Sequence, residues 1–174
     1  MSMITPDYAL TMARYNAWQN KQLKAIFQAM DQAELWADRG AFFGSIMKTA
    51  SHLVWGDWIW MSRFDGGSKP DVPGAQSTDL FANREQWAIA RDRMDARIVR
   101  WAEGLSSVDL GGSLTWHSGT VDADVSKPLA LCVTHMFNHQ THHRGQIHAM
   151  LTAAGAKAPV SDLAFMPEPE AVRR

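Results

Sequence analysis

A chain of 174 residues, 46% hydrophobic and 20% charged, has the length and apolar content to build a sizeable core as one domain. Its net charge of −1, with no Lys/Arg block, excludes the basic footprint of a nucleic-acid binder. No uncharged apolar run is long enough to span a bilayer, no apolar segment follows a basic start, and the lone Cys132 cannot close an internal disulfide, so a cytoplasmic home is expected.

Thr5-Pro6-Asp7 opens the first helix, with Thr5 as N-cap, Pro6 at the first helical position and an acid in the first turn. That helix is predicted over 5–30, with Tyr8, Met12, Tyr15, Leu23, Ile26 and Phe27 as its apolar stripe. Asn16 and Asn20 lie near the stripe, either as solvent-edge polarity or as pocket lining. A connection with a helical turn around 32–36 leads to Ser45, which caps a tryptophan-rich second helix over 44–64 that carries His52. Asp65-Gly66-Gly67 stops it, and Pro70, Pro73 and Gly74 mark a loop.

The third helix is predicted over 79–105. Phe81, Trp87, Ile89, Met94, Ile98 and Trp101 supply its apolar side, and Arg84, Arg91, Arg93 and Arg97 form a solvated face. Alternation around His117-Ser118-Gly119 then predicts a short β-hairpin, with His117 an exposed turn residue. Ser126-Lys127-Pro128 restarts the helix, with Pro128 just inside, and the fourth helix runs over 128–154. The tail, 156–174, is extended and contains Pro159, Pro167 and Pro169; Leu163, Phe165 and Met166 are expected to pack it back on the helices. Eight tryptophans and ten methionines read as bulky, adaptable core filling. Four long helices, a connection long enough to cross over and a hairpin between helices three and four make an all-α four-helix bundle.

The fourth helix holds His135, His139, His142, His143 and His148, and Gln146 lies close to their line. At about 100° per residue, His135, His139 and His143 share one face. A pair four apart sets two imidazoles one turn apart, a spread that suits one ion with bonds of roughly 2.0–2.1 Å. His52, on the core side of the second helix, offers a third. Spacing alone does not choose between the pairs 135/139 and 139/143.

The string Asn138-His139-Gln140-Thr141-His142-His143-Arg144-Gly145-Gln146 resembles the signature of the DinB/YfiT-like family of metal-dependent enzymes. His52 with Trp55, Asp57 and Trp58 resembles that family's second-helix histidine motif. The likeness extends from Tyr15-Asn16-Ala17-Trp18-Gln19-Asn20 to Ala153-Ala154-Gly155. It implies a divalent metal held by one histidine of the second helix and two of the fourth: His52, His139 and His143. His135 and His142 then orient or pack, and His148 has no assigned role.

Zinc is the default metal, with nickel, iron or manganese as alternatives. Three neutral imidazoles leave the ion's charge uncompensated and positions open, as in catalytic rather than structural sites. Relatives include transferases and isomerases that use low-molecular-weight thiols. The resemblance therefore implies a metal-activated thiol or water nucleophile attacking a small electrophilic substrate, an S-transferase or hydrolase type, with such a thiol as a second cofactor. The alternative is a non-catalytic metal or small-ligand binding module, or a stress-related dimeric one. The Trp-rich second helix permits a homodimer; neither nucleic acid nor membrane is an expected partner. No residue stands out as general base. Asp57 is turned away from His52 and is expected to orient a partner or meet Arg144, and Cys132 to be buried and inert.

Overall fold

The structure is a computed structural model that describes residues 2–119 and 121–168. Four long helices are joined in chain order by a short helix, a crossover segment and a hairpin: α1 (Pro6–Ala29), α2 (Gln32–Trp36), α3 (Ile46–Asp65), α4 (Arg84–Glu103), β1 (Ser113–Ser118), β2 (Ala123–Pro128) and α5 (Leu129–Ala153). Local chemistry starts each long helix but the last. Thr5 Oγ1 accepts from Tyr8 N at 3.2 Å, Ser45 Oγ from Lys48 N at 3.2 Å and Asn83 Oδ1 from Gln86 N at 2.9 Å. Gly66, at φ 69°, ends α3 in the left-handed conformation that a side chain disfavours.

Pairing between helices defines the topology. Lys24 meets Asp92 and Phe27 packs on Trp87, so α1 and α4 run antiparallel. His52 meets His139 and Trp60 meets His135, which makes α3 and α5 antiparallel as well. Ala50 pairs with Trp87 and Asp65 with Arg97, so the successive helices α3 and α4 are parallel. Residues 66–83 must therefore travel back along α3, which is about 30 Å long. They do so as a strap: Trp58 Nε1 donates to Ser68 O at 2.7 Å, Trp55 Nε1 to Val72 O at 2.9 Å, and Ser77 reaches His52. This is the expected crossover.

The core is split in two. One half gathers Leu23, Phe27, Leu53, Trp87, Ile147 and Leu151; the other gathers Ala13, Met61, Ile98, Val133, Met136 and Phe137. Between them lies a buried polar layer to which all four long helices contribute. Arg91 NH1 donates to Asp57 Oδ2 at 2.6 Å, and Arg91 NH2 lies 2.9 Å from Asp95 Oδ1. Asn16 and Asn20 donate to Asp95 Oδ1 at 3.1 and 2.9 Å, Gln140 donates to Asp57 Oδ1 at 2.7 Å, and Arg144 donates to Asn16 Oδ1. Two arginines face two aspartates, so the layer is neutral in sum.

Several expectations are corrected here. Arg91 is 2% exposed and is not part of a solvated face, because two carboxylates on facing and adjacent turns neutralise it. Asp57 pairs with Arg91 and Gln140 instead of Arg144. Asn16 and Asn20 are neither edge polarity nor pocket lining but ligands of Asp95. Ile89, assigned to the apolar side, is 54% exposed. The third helix begins at Arg84, later than 79, because Asn83 caps it; Phe81 packs against the core from outside the helix. Pro128 ends β2 and stands at the N-cap of α5 instead of just inside it.

β1 and β2 pair antiparallel from Ser113 opposite Pro128 to Ser118 opposite Ala123. His117 thus lies within β1 and not at the turn; its exposed ring meets Asp122 and Asp124. In the tail, Leu163 and Phe165 remain exposed. Side chains of α1 tie this segment down instead by donating to its carbonyls: Tyr15 OH to Ser161 O at 2.5 Å and Gln19 Nε2 to Val160 O at 2.7 Å. Pro169, the last of the three tail prolines, lies outside the described residues.

Candidate metal centre

His139 and His143 sit one turn apart on α5, facing α3, and His52 comes from the opposing face of α3. One nitrogen from each ring lies within 4.8 Å of the others. His52 Nε2 and His139 Nε2 are 3.1 Å apart, and the His139 and His143 ring centroids 4.5 Å apart. Two nitrogens bound tetrahedrally to one ion would lie about 3.3 Å apart, so the closest pair is already at ligand spacing.

Neighbours fix which nitrogens turn inward. His52 Nδ1 hydrogen-bonds Ser77 Oγ at 2.8 Å, which leaves Nε2 for the cluster. His143 Nδ1 donates to Gln146 Oε1 at 2.7 Å, and Gln146 Nε2 in turn lies 3.4 Å from His142 Nε2. Such outer contacts set the tautomer and orientation of a ligating imidazole. His139 has no equivalent: its Nδ1 is buried without a partner among the described residues. Its ring is accommodated because residue 56 is glycine. A Cβ there would lie 2.8 Å from His139 Cε1 and 3.2 Å from Nδ1. A glycine inside a helix costs about 1 kcal/mol relative to alanine, and here the reason for it is steric.

Electrostatics favours neutral rings with free lone pairs. Burial, reinforced by His143, lowers the His52 pKa to about 4. Burial, with His143, His52, His135 and His142 adding repulsion, lowers His139 to about 3. His143 is lowered too, chiefly by burial. A cluster of close donor nitrogens that resists protons, has no carboxylate among its members and leaves one buried nitrogen unpaired fits a divalent cation of borderline softness. The residues present suit such an ion.

Phe43 covers one side, with its ring 4.3 Å from that of His52 and 5.4 Å from that of His143. His135 is displaced from the cluster: its ring packs on Trp60 at 5.1 Å and lies 6.1 Å from His139. The spatial choice between the two equally spaced pairs is therefore 139/143. His142 touches the cluster edge-on at 4.8 Å from His143, and His148 lies near the α1 side of α5, close to Tyr15 and Arg144. Cys132 is buried, and burial raises its pKa. Ser77, Phe43 and Gly56 carried no signal in the sequence. Each matters only through a neighbour far away along the chain.

The comparisons with known proteins agree with this architecture. The DinB family profile matches residues 3–173. Protein DinB of Bacillus subtilis (strain 168) is 29% identical over 162 residues, spanning 88% of this chain and 90% of that protein. The crystal structure of a DinB-like protein from Bacillus cereus ATCC 10987 superposes with a TM-score of 0.63 at 14% identity, covering 82% of this chain and 90% of the other. With the family profile spanning nearly its whole length, this chain belongs to the DinB family.

Proposed function

We propose that this chain is a single-domain, divalent-metal-dependent enzyme whose ligands are His52, His139 and His143, acting as an S-transferase or hydrolase on a small electrophilic substrate. The observation that carries the reading is the convergence of three imidazoles from two helices, with Ser77 holding the orientation of one ring and Gln146 accepting from Nδ1 of another. A divalent ion held there would supply Lewis acidity, allowing a water or thiol nucleophile to ionise near neutral pH. Zinc suits the donor set best, with nickel, iron or manganese as alternatives.

The chain's own residues supply binding and exclusion of water more readily than proton transfer. Asp57, the carboxylate nearest His52 in sequence, is committed to Arg91 and Gln140. His135 stands beside the cluster, exposed, with its pKa lowered by partial burial and by the Arg63 charge. A substrate that brings its own ionisable nucleophile, a low-molecular-weight thiol, needs least from such a site. The same scarcity of acid–base groups favours the second reading, a non-catalytic module that binds a metal or small ligand. Cytoplasmic location and homodimerisation complete the proposal; no helix among the described residues is long and apolar enough to cross a membrane.

Elemental analysis of tag-free protein tests the site. About one zinc per chain in wild type and none in His143→Ala is the expected result. Metal-free protein in both cases, with melting indifferent to chelator, would end the metal reading. Turnover of thiols against a panel of small electrophiles then separates enzyme from binding module. Light scattering that returns the mass of a monomer would remove the dimer.

A further inference from the structure

Away from the His52, His139 and His143 cluster, between α1, α5 and the tail, lies a groove of about 340 Å³ walled by Tyr15, Gln19, Leu23, Arg144, His148 and Pro159. That volume falls at the small end of small-molecule sites. Its chemistry centres on Arg144. This residue is 8% exposed and borders the groove, yet no carboxylate lies within salt-bridge distance among the described residues. Its one hydrogen-bond acceptor there is Asn16 Oδ1, and Tyr15 covers one face, with the ring centre 5.4 Å from Cζ. Arg91, the other buried arginine, is clamped by two aspartates. Buried guanidinium groups with five donors are ordinarily paired, and Arg144 keeps donors unspent along a wall of the groove.

Gly145 adds a second, independent observation. It stands in the middle of α5, where glycine costs about 1 kcal/mol against alanine. Unlike Gly56, it has no neighbour that forbids a side chain: a Cβ would meet nothing within 4 Å. It also lines the groove, so the missing side chain leaves the approach to Arg144 open. Tyr15 and Gln19 hold the opposite wall in place through the carbonyls of Ser161 and Val160.

We propose that this groove binds a small organic monocarboxylate, with the carboxylate on the free edge of Arg144 and an apolar body against Leu23, Tyr15 and Pro159. Arg144 has no direct ion pair of its own, its planar fork matches a carboxylate, and the rest of the wall includes too much apolar surface for an inorganic anion. His148, which had no role, borders the same space. Thr141 Oγ1 already donates to Phe137 O, so its oxygen offers an acceptor rather than a donor to whatever binds. The site does not depend on any ion at the histidine cluster.

Isotope-labelled protein titrated with sodium benzoate, benzyl alcohol and inorganic phosphate tests this by residue-resolved NMR. Benzoate should give saturable shifts at the Arg144 Nε–H and the Gly145 amide, with neither benzyl alcohol nor phosphate doing the same. Gly145→Met, which fills the groove without touching the buried layer, should weaken benzoate roughly tenfold or more, with metal content unchanged. His139→Ala should bind benzoate at the groove as wild type does, which separates this site from carboxylate capture by a metal. Absence of saturable shifts, equal binding of the alcohol, or indifference to Gly145→Met would overturn the proposal. Phosphate binding as tight as benzoate would overturn the assignment to an organic acid.

Discussion

Two clusters of ionisable groups lie side by side on α3 and α5, and they solve opposite problems. In the polar layer, Asp57, Arg91, Asp95 and Arg144 bring charges of both signs from α3, α4 and α5 that cancel in sum, with Asn16 and Asn20 of α1 hydrogen-bonded among them. One turn away, His52, His139 and His143 bring only neutral donors, crowd their nitrogens together and leave His139 Nδ1 unpaired. The first arrangement needs nothing further to be buried. The second lacks a positive charge. Burial of polar residues by itself therefore says little about function; the uncompensated set is the informative one.

The largest effect should come from breaking the compensated cluster. Arg91→Met strands two buried carboxylates, and denaturant unfolding should show a loss of about 3–5 kcal/mol. A cost below about 1 kcal/mol would mean that water reaches the layer. In the other cluster the same kind of truncation should act on metal instead of fold. His139→Ala removes the ring that Gly56 accommodates, and zinc stoichiometry should drop from about one to near zero while the metal-free protein remains folded by circular dichroism. Collapse of the metal-free variant would make this histidine a core residue first.

Contacts one step out from the cluster should give intermediate effects. Ser77→Ala frees the His52 ring to rotate and should weaken zinc about 10–100-fold in competition with a chelating dye, with little change in melting of the apoprotein. Gly56→Ala should also weaken zinc, because its Cβ drives His139 out of place, even though alanine is the better helix former.

Just below neutral pH, the smallest effect is a pH slope in the metal-free protein. His52 and His139 have folded pKa values of about 4 and about 3, below their ordinary 6.5. Their contribution to stability is then complete above pH 6.5 and is lost as the pH falls through that value toward the folded pKa values. Melting temperatures of apoprotein should decline across this window, and more shallowly in His139→Ala. An equal slope in both would move the acid sensitivity elsewhere, to carboxylates.

Much of this was readable from the chain itself. Thr5, Ser45 and the Gly66 stop each act within four residues, so the ends of α1 and α3 followed from local chemistry. The hairpin followed from alternation, although its second strand runs on to Pro128. The i, i+4 spacing put His139 and His143 on one face and made His135/His139 an equal alternative. Periodicity alone assigns Arg91 to a solvated face, because it identifies a face but not the carboxylates that stand opposite it.

Four long helices, the Thr5 and Ser45 caps and the supply of imidazoles were legible along the chain, since these depend on neighbours within a turn or two. Which imidazoles meet is set by helix packing. The crossover strap brings Ser77 onto His52, twenty-five residues away, and α3 presents Gly56 to His139 across eighty-three. Asp57 and Asp95 convert an apparent surface arginine into the centre of a buried layer. Such pairings are set by which helices pack and in what direction, and no periodicity within a single helix encodes that.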